Sequence, residues 1–217
     1  MKSGEKKYKV EAELLEKLSA VLESGKPARS YEFSEEEAEI AREIDLLTVK
    51  PVLYAANVGE DDFLNGIENN DFVKRLEELA SAEGSEVMPI SAKIEEDISA
   101  LDPEEKGEYL EELGIKESGL DRLVKKSYKL LGLISYLTAG EPEVRAWTIT
   151  QGTKAPQAAG KIHTDFEKGF IRAEVVKYTD LIECGTYAAA RDKGLVRSEG
   201  KEYVMCDGDI VLFRFNV

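Results

Sequence analysis

The chain has 217 residues, with 29 Lys and Arg against 44 Asp and Glu, one His, two Cys and one Trp. That length allows one or two domains with a real core, and no apolar run approaches the roughly 18–20 residues a membrane span needs. Two cysteines are too few for a disulfide scaffold or a Cys-rich zinc site, and no apolar segment follows Met1-Lys2-Ser3-Gly4, so no secretory signal and a cytoplasmic location are expected.

Charge is uneven along the chain: the net is −3 over residues 1–50, −11 over 51–133 and −1 over 134–217. The acidic middle would repel a phosphate backbone, whereas the nearly neutral last third can carry a local basic face. The step also marks an expected domain boundary near residue 133.

The first predicted element is a helix over 8–23, with Val10, Leu14, Leu18, Val21 and Leu22 on one stripe and Gly25 and Pro27 ending it. Ser34 opens a second helix, with Glu37 as its capping-box partner and Ala38, Ile40, Ala41, Ile44 and Leu47 as its apolar side. Val52 to Asn57 reads as a parallel strand buried on both faces. A helix over 70–83 follows, with Phe72, Val73, Leu76, Leu79 and Ala80 inside, and then a short buried strand over 87–91. Strand, helix, strand is the α/β crossover unit. Asp102-Pro103-Glu104-Glu105 starts another helix that Gly114 stops, and Ser118 begins the next.

In the last third, 144–149 reads as a strand, 156–167 as a short helix and 170–176 as a second strand. Residues 203–206 and 210–215 read as a hairpin around an Asp-Gly turn. Strands packed on one helix predict a small α+β roll.

Two loops carry the strongest chemical signal. Asn57-Val58-Gly59-Glu60 follows the first buried strand, and Ser91-Ala92-Lys93 follows the second. In an open parallel sheet, such loops line one crevice where ligands bind. The pair resembles the base-recognition loops of P-loop GTPases, Asn-Lys-x-Asp and Ser-Ala-Lys, with Val58 in place of the Lys and Glu60 in place of the Asp. Guanine presents two adjacent donors that a fixed carboxylate accepts, whereas adenine presents an N1 lone pair that a carboxylate repels. A Glu that turns away, leaving Asn57 and backbone groups to read the edge, suits adenine. On the residues alone, Asn57 and Ser91 are equally readable as side chains capping turns.

Longer stretches go further. KPVLYAANVGEDD, the run from Glu86 to Val176 that contains PISAKIEED and KAPQAAGKIHTDFEKGFIRAEVV, and the final DGDIVLFRFNV closely resemble the YchF group of Obg-like ATPases, from about residue 8 to Val217. The resemblance implies a fold class of α/β type: a partial P-loop NTPase with a remnant of a helical arm, followed by a C-terminal α+β TGS domain of β-grasp type. The expected divisions are 1–49 for the arm, 50–131 for the nucleotide-binding portion and 132–217 for the TGS domain. It further implies ATP, with GTP second, as ligand, Mg²⁺ as its companion, and the ribosome or RNA as partner through the TGS domain.

No Gly-x-x-x-x-Gly-Lys-Ser/Thr occurs, and no Asp stands three residues before any glycine, so neither the phosphate-wrapping loop nor the γ-phosphate-sensing loop of that family is present. The chain is therefore expected to be the C-terminal part of such a protein, with no hydrolysis and no tight nucleotide binding by itself. The alternative is a purely RNA- or ribosome-binding, or inactive, structural piece. Arg145, Lys154, Lys161 and Arg172 are the expected RNA contacts. His163, beside Asp165, and Cys184 and Cys206 find no partners at a catalytic spacing and are expected to be structural. Unpaired edges of the 52–57 or 87–90 strand are expected to favour self-association, or partial disorder before about residue 50.

Overall fold

The computed structural model describes residues 3–140 and 143–216; residues 1–2 and 217, at the ends of the expected domains, lie outside them. The chain divides into two compact units, Met1–Ser127 and Tyr128–Val217.

In the first unit, α1 (Ser3–Glu23) and α2 (Glu35–Ile44) pack face to face. Leu14, Leu18, Ala28, Ile40 and Ala41 form their buried core. Leu14 and Leu18 are essentially inaccessible, and burial of each leucine contributes about 1.5–3 kcal/mol. The predicted capping box is present: Ser34 Oγ accepts from the Glu37 N–H at 3.3 Å, and the Ser34 N–H donates to Glu37 Oε2 at 2.9 Å. Within residues 3–49, α1 and α2 thus share a core of their own.

Strands β1 (Leu53–Asn57) and β2 (Glu86–Ile90) pair in parallel, Leu53 opposite Glu86 and Asn57 opposite Ile90. Between them run α3 (Glu60–Leu64) and α4 (Asp71–Ala82), and after them α5 (Ala92–Ser99), α6 (Pro103–Glu112) and α7 (Gly119–Leu130). Ile94, Ile98 and Leu110 form a second core between α5 and α6. The predicted α6 cap is also present, with Asp102 Oδ1 accepting from the Glu104 and Glu105 N–H groups.

Three expectations for this unit need correction. Leu47, expected on the apolar side of α2, lies beyond the end of that helix and is 79% exposed. β1 is not buried on both faces: Ala55 and Asn57 are exposed, because a two-stranded sheet leaves little to cover it. Phe72 and Leu79, expected inside, are 80% and 52% exposed, since α4 turns Val73, Leu76 and Ala80 inward instead.

The second unit is a five-stranded mixed sheet in the order β4-β3-β7-β5-β6. Its strands are β3 (Leu133–Ala139), β4 (Val144–Thr150), β5 (Phe170–Lys177), β6 (Arg197–Glu199) and β7 (Asp209–Phe215). β3 and β7 are parallel neighbours at the centre, and every other pairing is antiparallel. The helices are α8 (Ala155–Ile162), α9 (Thr164–Lys168), α10 (Tyr178–Cys184) and α11 (Tyr187–Asp192). One sheet face packs on α8 through Tyr136, Ile149, Ala155, Ala158, Val175 and Phe213. On the other face, Val176, Ala190 and Ile210 pack with α10 and α11.

β4 is an edge strand. The Gln151 N–H donates to Gly132 O at 2.7 Å and the Gly140 N–H to Glu143 O at 3.0 Å at the two ends of its ladder with β3. These bonds fix the alternation: the backbone of Arg145, Trp147 and Ile149 bonds inward to β3, and that of Ala146 and Thr148 faces the open edge.

The expected hairpin over 203–215 is not formed. β7 pairs with β5 and β3, and 203–206 makes a single bridge, between Val204 and Lys154. The reason lies in Asp209, which is 1% exposed. Its Oδ2 accepts from the Tyr203 hydroxyl at 2.8 Å and the Cys206 N–H at 2.9 Å, so 203–208 folds back over its side chain. The helix expected over 156–167 is broken at His163, whose backbone is extended (φ −158°). β3, β6, α10 and α11 have no counterpart among the predicted elements.

Candidate functional site

The register of β1 against β2 brings their carboxyl ends level, so the two predicted loops stand side by side. They are tied twice. The Val58 N–H donates to Ile90 O at 2.8 Å. Across the crevice, Asn57 Oδ1 accepts from the Ala92 N–H at 3.0 Å. Ser91 is buried and its Oγ accepts from the Ile94 N–H at 3.4 Å, which makes it the cap of α5. Ser91 thus caps a helix, as the turn-capping reading has it, and Asn57 links one loop to the other.

Glu60 opens α3, and the Gly59 N–H before it is held by Asp62 Oδ2 at 2.9 Å. Burial, then the Glu60 and Asp97 carboxylates, push the Tyr109 phenol above its ordinary range. Lys93 is directed along its own helix, to Asp97 at 2.6 Å and Glu96 at 3.6 Å, and the Asp97 bond raises its pKa. Asn57, Ala92 and Lys93 are exposed. Among the described residues no group of three His, Cys, Asp or Glu side chains is placed to hold a metal ion.

In the second unit, the four expected RNA contacts do not form one patch. Arg145 and Lys161 line a cleft of about 700 Å³ along the β4 edge, with Trp147, Thr148, Thr150 and Gln157. The Arg145 guanidinium lies 4.1 Å above the Trp147 ring, and Trp147 Nε1 donates to Thr138 Oγ1 at 2.9 Å. Lys154 pairs with Glu202 at 2.5 Å and does not line the cleft. Arg172 is on β5, bonded to Glu174 at 3.0 Å. Glu174 also receives Arg191 and Arg214, two residues the sequence reading passed over. The signal for them lies in strand parity: Arg172 and Glu174 are two apart on one face, and Arg214 stands opposite Arg172 in the ladder.

His163 is an exposed cap of α9, its Nδ1 accepting from the Asp165 N–H at 3.2 Å. Cys184 and Cys206 are free thiols, one half-buried and one exposed.

Comparison with known proteins places this geometry in a family. The YchF-GTPase_C family, described as a protein of unknown function (DUF933), matches residues 133–216. The "Ribosome-binding ATPase YchF" of Bacillus subtilis is 54% identical over 216 residues, covering 100% of this chain and 59% of that protein. The chain belongs to the YchF family. The protein of the same name from Escherichia coli O157:H7 is 48% identical, over 100% of this chain and 58% of its own length. The solved structure of the Schizosaccharomyces pombe YchF GTPase superposes with a TM-score of 0.85 at 40% identity, covering 99% of this chain and 57% of that one. The chain therefore spans about three fifths of the length of the curated relatives it matches. Its α/β architecture, with one parallel and one mixed sheet, matches the YchF structure. No helix among the described residues is long and apolar enough to cross a membrane.

Proposed function

We propose that this chain is the base-recognising and ribosome-contacting portion of a cytoplasmic, YchF-type nucleotide hydrolase. Residues 50–131 are its share of the nucleotide-binding domain, 1–49 part of the helical arm, and 132–217 a TGS domain. The observation that carries the reading is the Asn57–Ala92 bond joining two loops at the carboxyl ends of parallel strands. With the longer Glu60, at the first position of α3, in place of an aspartate and Val58 in place of a lysine, this reading leaves no carboxylate committed to the base edge. The Asn57 amide and neighbouring backbone groups are left to read it, which favours adenine over guanine. The order of the second sheet, with its first and last strands parallel at the centre and α8 across one face, supports the β-grasp assignment.

Phosphate and metal contacts carry most of the energy of nucleotide binding and nearly all of phosphoryl-transfer catalysis. With the phosphate-wrapping motif absent from the sequence, this chain alone binds Mg-ATP weakly and does not turn it over. Calorimetric titration of Mg-ATP and Mg-GTP into this chain and into a full-length relative tests both claims. The reading expects ATP-preferring binding by the full-length protein, weakened when its equivalent of Asn57 becomes Ala. Micromolar binding by the chain alone, or no effect of that substitution, would overturn it.

The ribosome or RNA contact is assigned to the second unit, through Arg145 and Lys161 in the β4 cleft. Salt-dependent co-sedimentation with ribosomes, reduced in Arg145→Gln and Lys161→Gln, is the expected result. Self-association through the unpaired edges of β1 and β2 belongs to the same reading and is checked by sedimentation equilibrium.

A further inference from the structure

Glu174 sits on the sheet face opposite α8, with its side chain 8% exposed and three guanidiniums around it. Arg172 donates from the same strand at 3.0 Å. Arg214 donates from β7 through Nε at 3.3 Å and Nη2 at 3.2 Å. Arg191 donates from α11 at 3.2 Å. One carboxylate among three guanidiniums leaves a local excess of two positive charges.

A fold-holding ion pair needs one arginine. Here Arg172 and Arg214 stand directly opposite each other in the ladder, an arrangement of like charges that costs stability. Burying Glu174 adds a desolvation cost. What the cluster gains is fixed geometry. Each guanidinium carries five N–H donors and gives Glu174 one or two, so several remain free. The three side chains are 53%, 57% and 47% exposed, so those donors reach solvent. A fork held in place by a carboxylate meets a phosphate bidentately without first having to be ordered. Leu212, opposite Glu174 in the ladder and 42% exposed, gives the site an apolar floor beside its charge.

We infer that Arg172, Arg191 and Arg214, fixed on Glu174, form a phosphodiester-binding site for single-stranded RNA, separate from the cleft along β4. The choice of RNA as ligand rests on the ribosome-contact reading above; the anion site rests on the cluster alone.

Arginine Nε–Hε resonances of the full chain, followed by NMR during titration with a short oligouridylate and with inorganic pyrophosphate, test it. The three resonances are expected to shift with both probes. Arg191→Gln leaves Glu174 two guanidiniums and keeps the fold. It is expected to lower the slope of log affinity against log salt for the oligouridylate by about 0.7, and the triple Gln variant by about 2. Oligouridylate or ribosome binding with the three resonances unmoved would overturn this site and leave the RNA reading standing. Shifts with pyrophosphate but no oligouridylate binding, in a chain that also fails to bind ribosomes, would overturn both RNA assignments and leave a site for small anions. No response to any of the three would overturn both the site and the reading.

Discussion

Tyr136, in the centre of the second sheet, donates its hydroxyl hydrogen to the carbonyl of Ala158 on α8 at 2.8 Å. The residue is fully buried, and burial raises its phenol above the ordinary range. Tyr136→Phe keeps the edge-to-face contact with Phe213 and loses only the bond. The expected cost is about 0.5–1.5 kcal/mol. Tyr136→Ala should cost about 3–5 kcal/mol, as for other large core truncations. Urea unfolding of both variants checks the ratio.

Asp209 determines where the last strand begins. Asp209→Ala leaves the Tyr203 hydroxyl and the Cys206 N–H without their acceptor, at an expected cost of about 2–3 kcal/mol. The same denaturation measurement, with the near-ultraviolet signal of Tyr203 followed, should show the 203–208 segment loosening together with the loss of stability.

Acid should weaken the helical pair of the first unit. The Lys17 ammonium, then the Ser34 N–H, hold Glu37 down at about 2. An unfolded Glu titrates near ~4.3, so its stabilisation is fully present above that value. It is lost as pH falls from there through about 2. A helical far-ultraviolet signal that decays over that range, with the Glu37 component removed in Glu37→Gln, is the expected outcome.

Gly169 is required for close approach rather than for its torsion angle, since its φ is −90°. A Cβ there would lie 2.1 Å from the carbonyl oxygen of Asn216. Backbone cannot swing aside as a side chain can, so Gly169→Ala should cost about 1–3 kcal/mol. A fall in melting temperature measured by calorimetry checks it.

The Glu174 cluster carries its own acid signature. The Arg214 bond, followed by the Arg172 bond and the Arg charges, holds the Glu174 carboxyl below its usual range. Its stabilisation is present above the unfolded carboxyl value and lost as pH falls through the lowered one. Glu174→Gln should flatten that part of the stability–pH curve of the second unit.

Local signals were the most readable in the sequence. Ser34-x-x-Glu37 and Asp102-Pro103 announce their helices because capping is a short-range bond between neighbours. The adjacency of 57–60 and 91–93 follows from the crossover unit between two short strands. What stayed hidden depends on distant partners. Phe72 reads as core by its spacing and is 80% exposed, because what covers a helix face is not written in that helix. The 203–215 hairpin has a plausible turn, but Asp209 side-chain bonds and the partners of β7 outcompete it. Arg172 reads as an RNA contact in company with Arg145, Lys154 and Lys161; its grouping with Arg191 and Arg214 instead appears only once β5, β7 and α11 are brought together.

The alternation along β4 predicts which amides trade their hydrogen for deuterium. Those of Ala146 and Thr148 should exchange early, and those of Arg145, Trp147 and Ile149 late, giving a zigzag in protection along a single strand. The same parity says where proline is tolerated: at 146 it removes an N–H that already faces water, and at 147 it cuts a rung of the ladder. An incoming extended backbone would meet two docking rungs, at 146 and 148, and occupying them would silence the early-exchanging half of the zigzag.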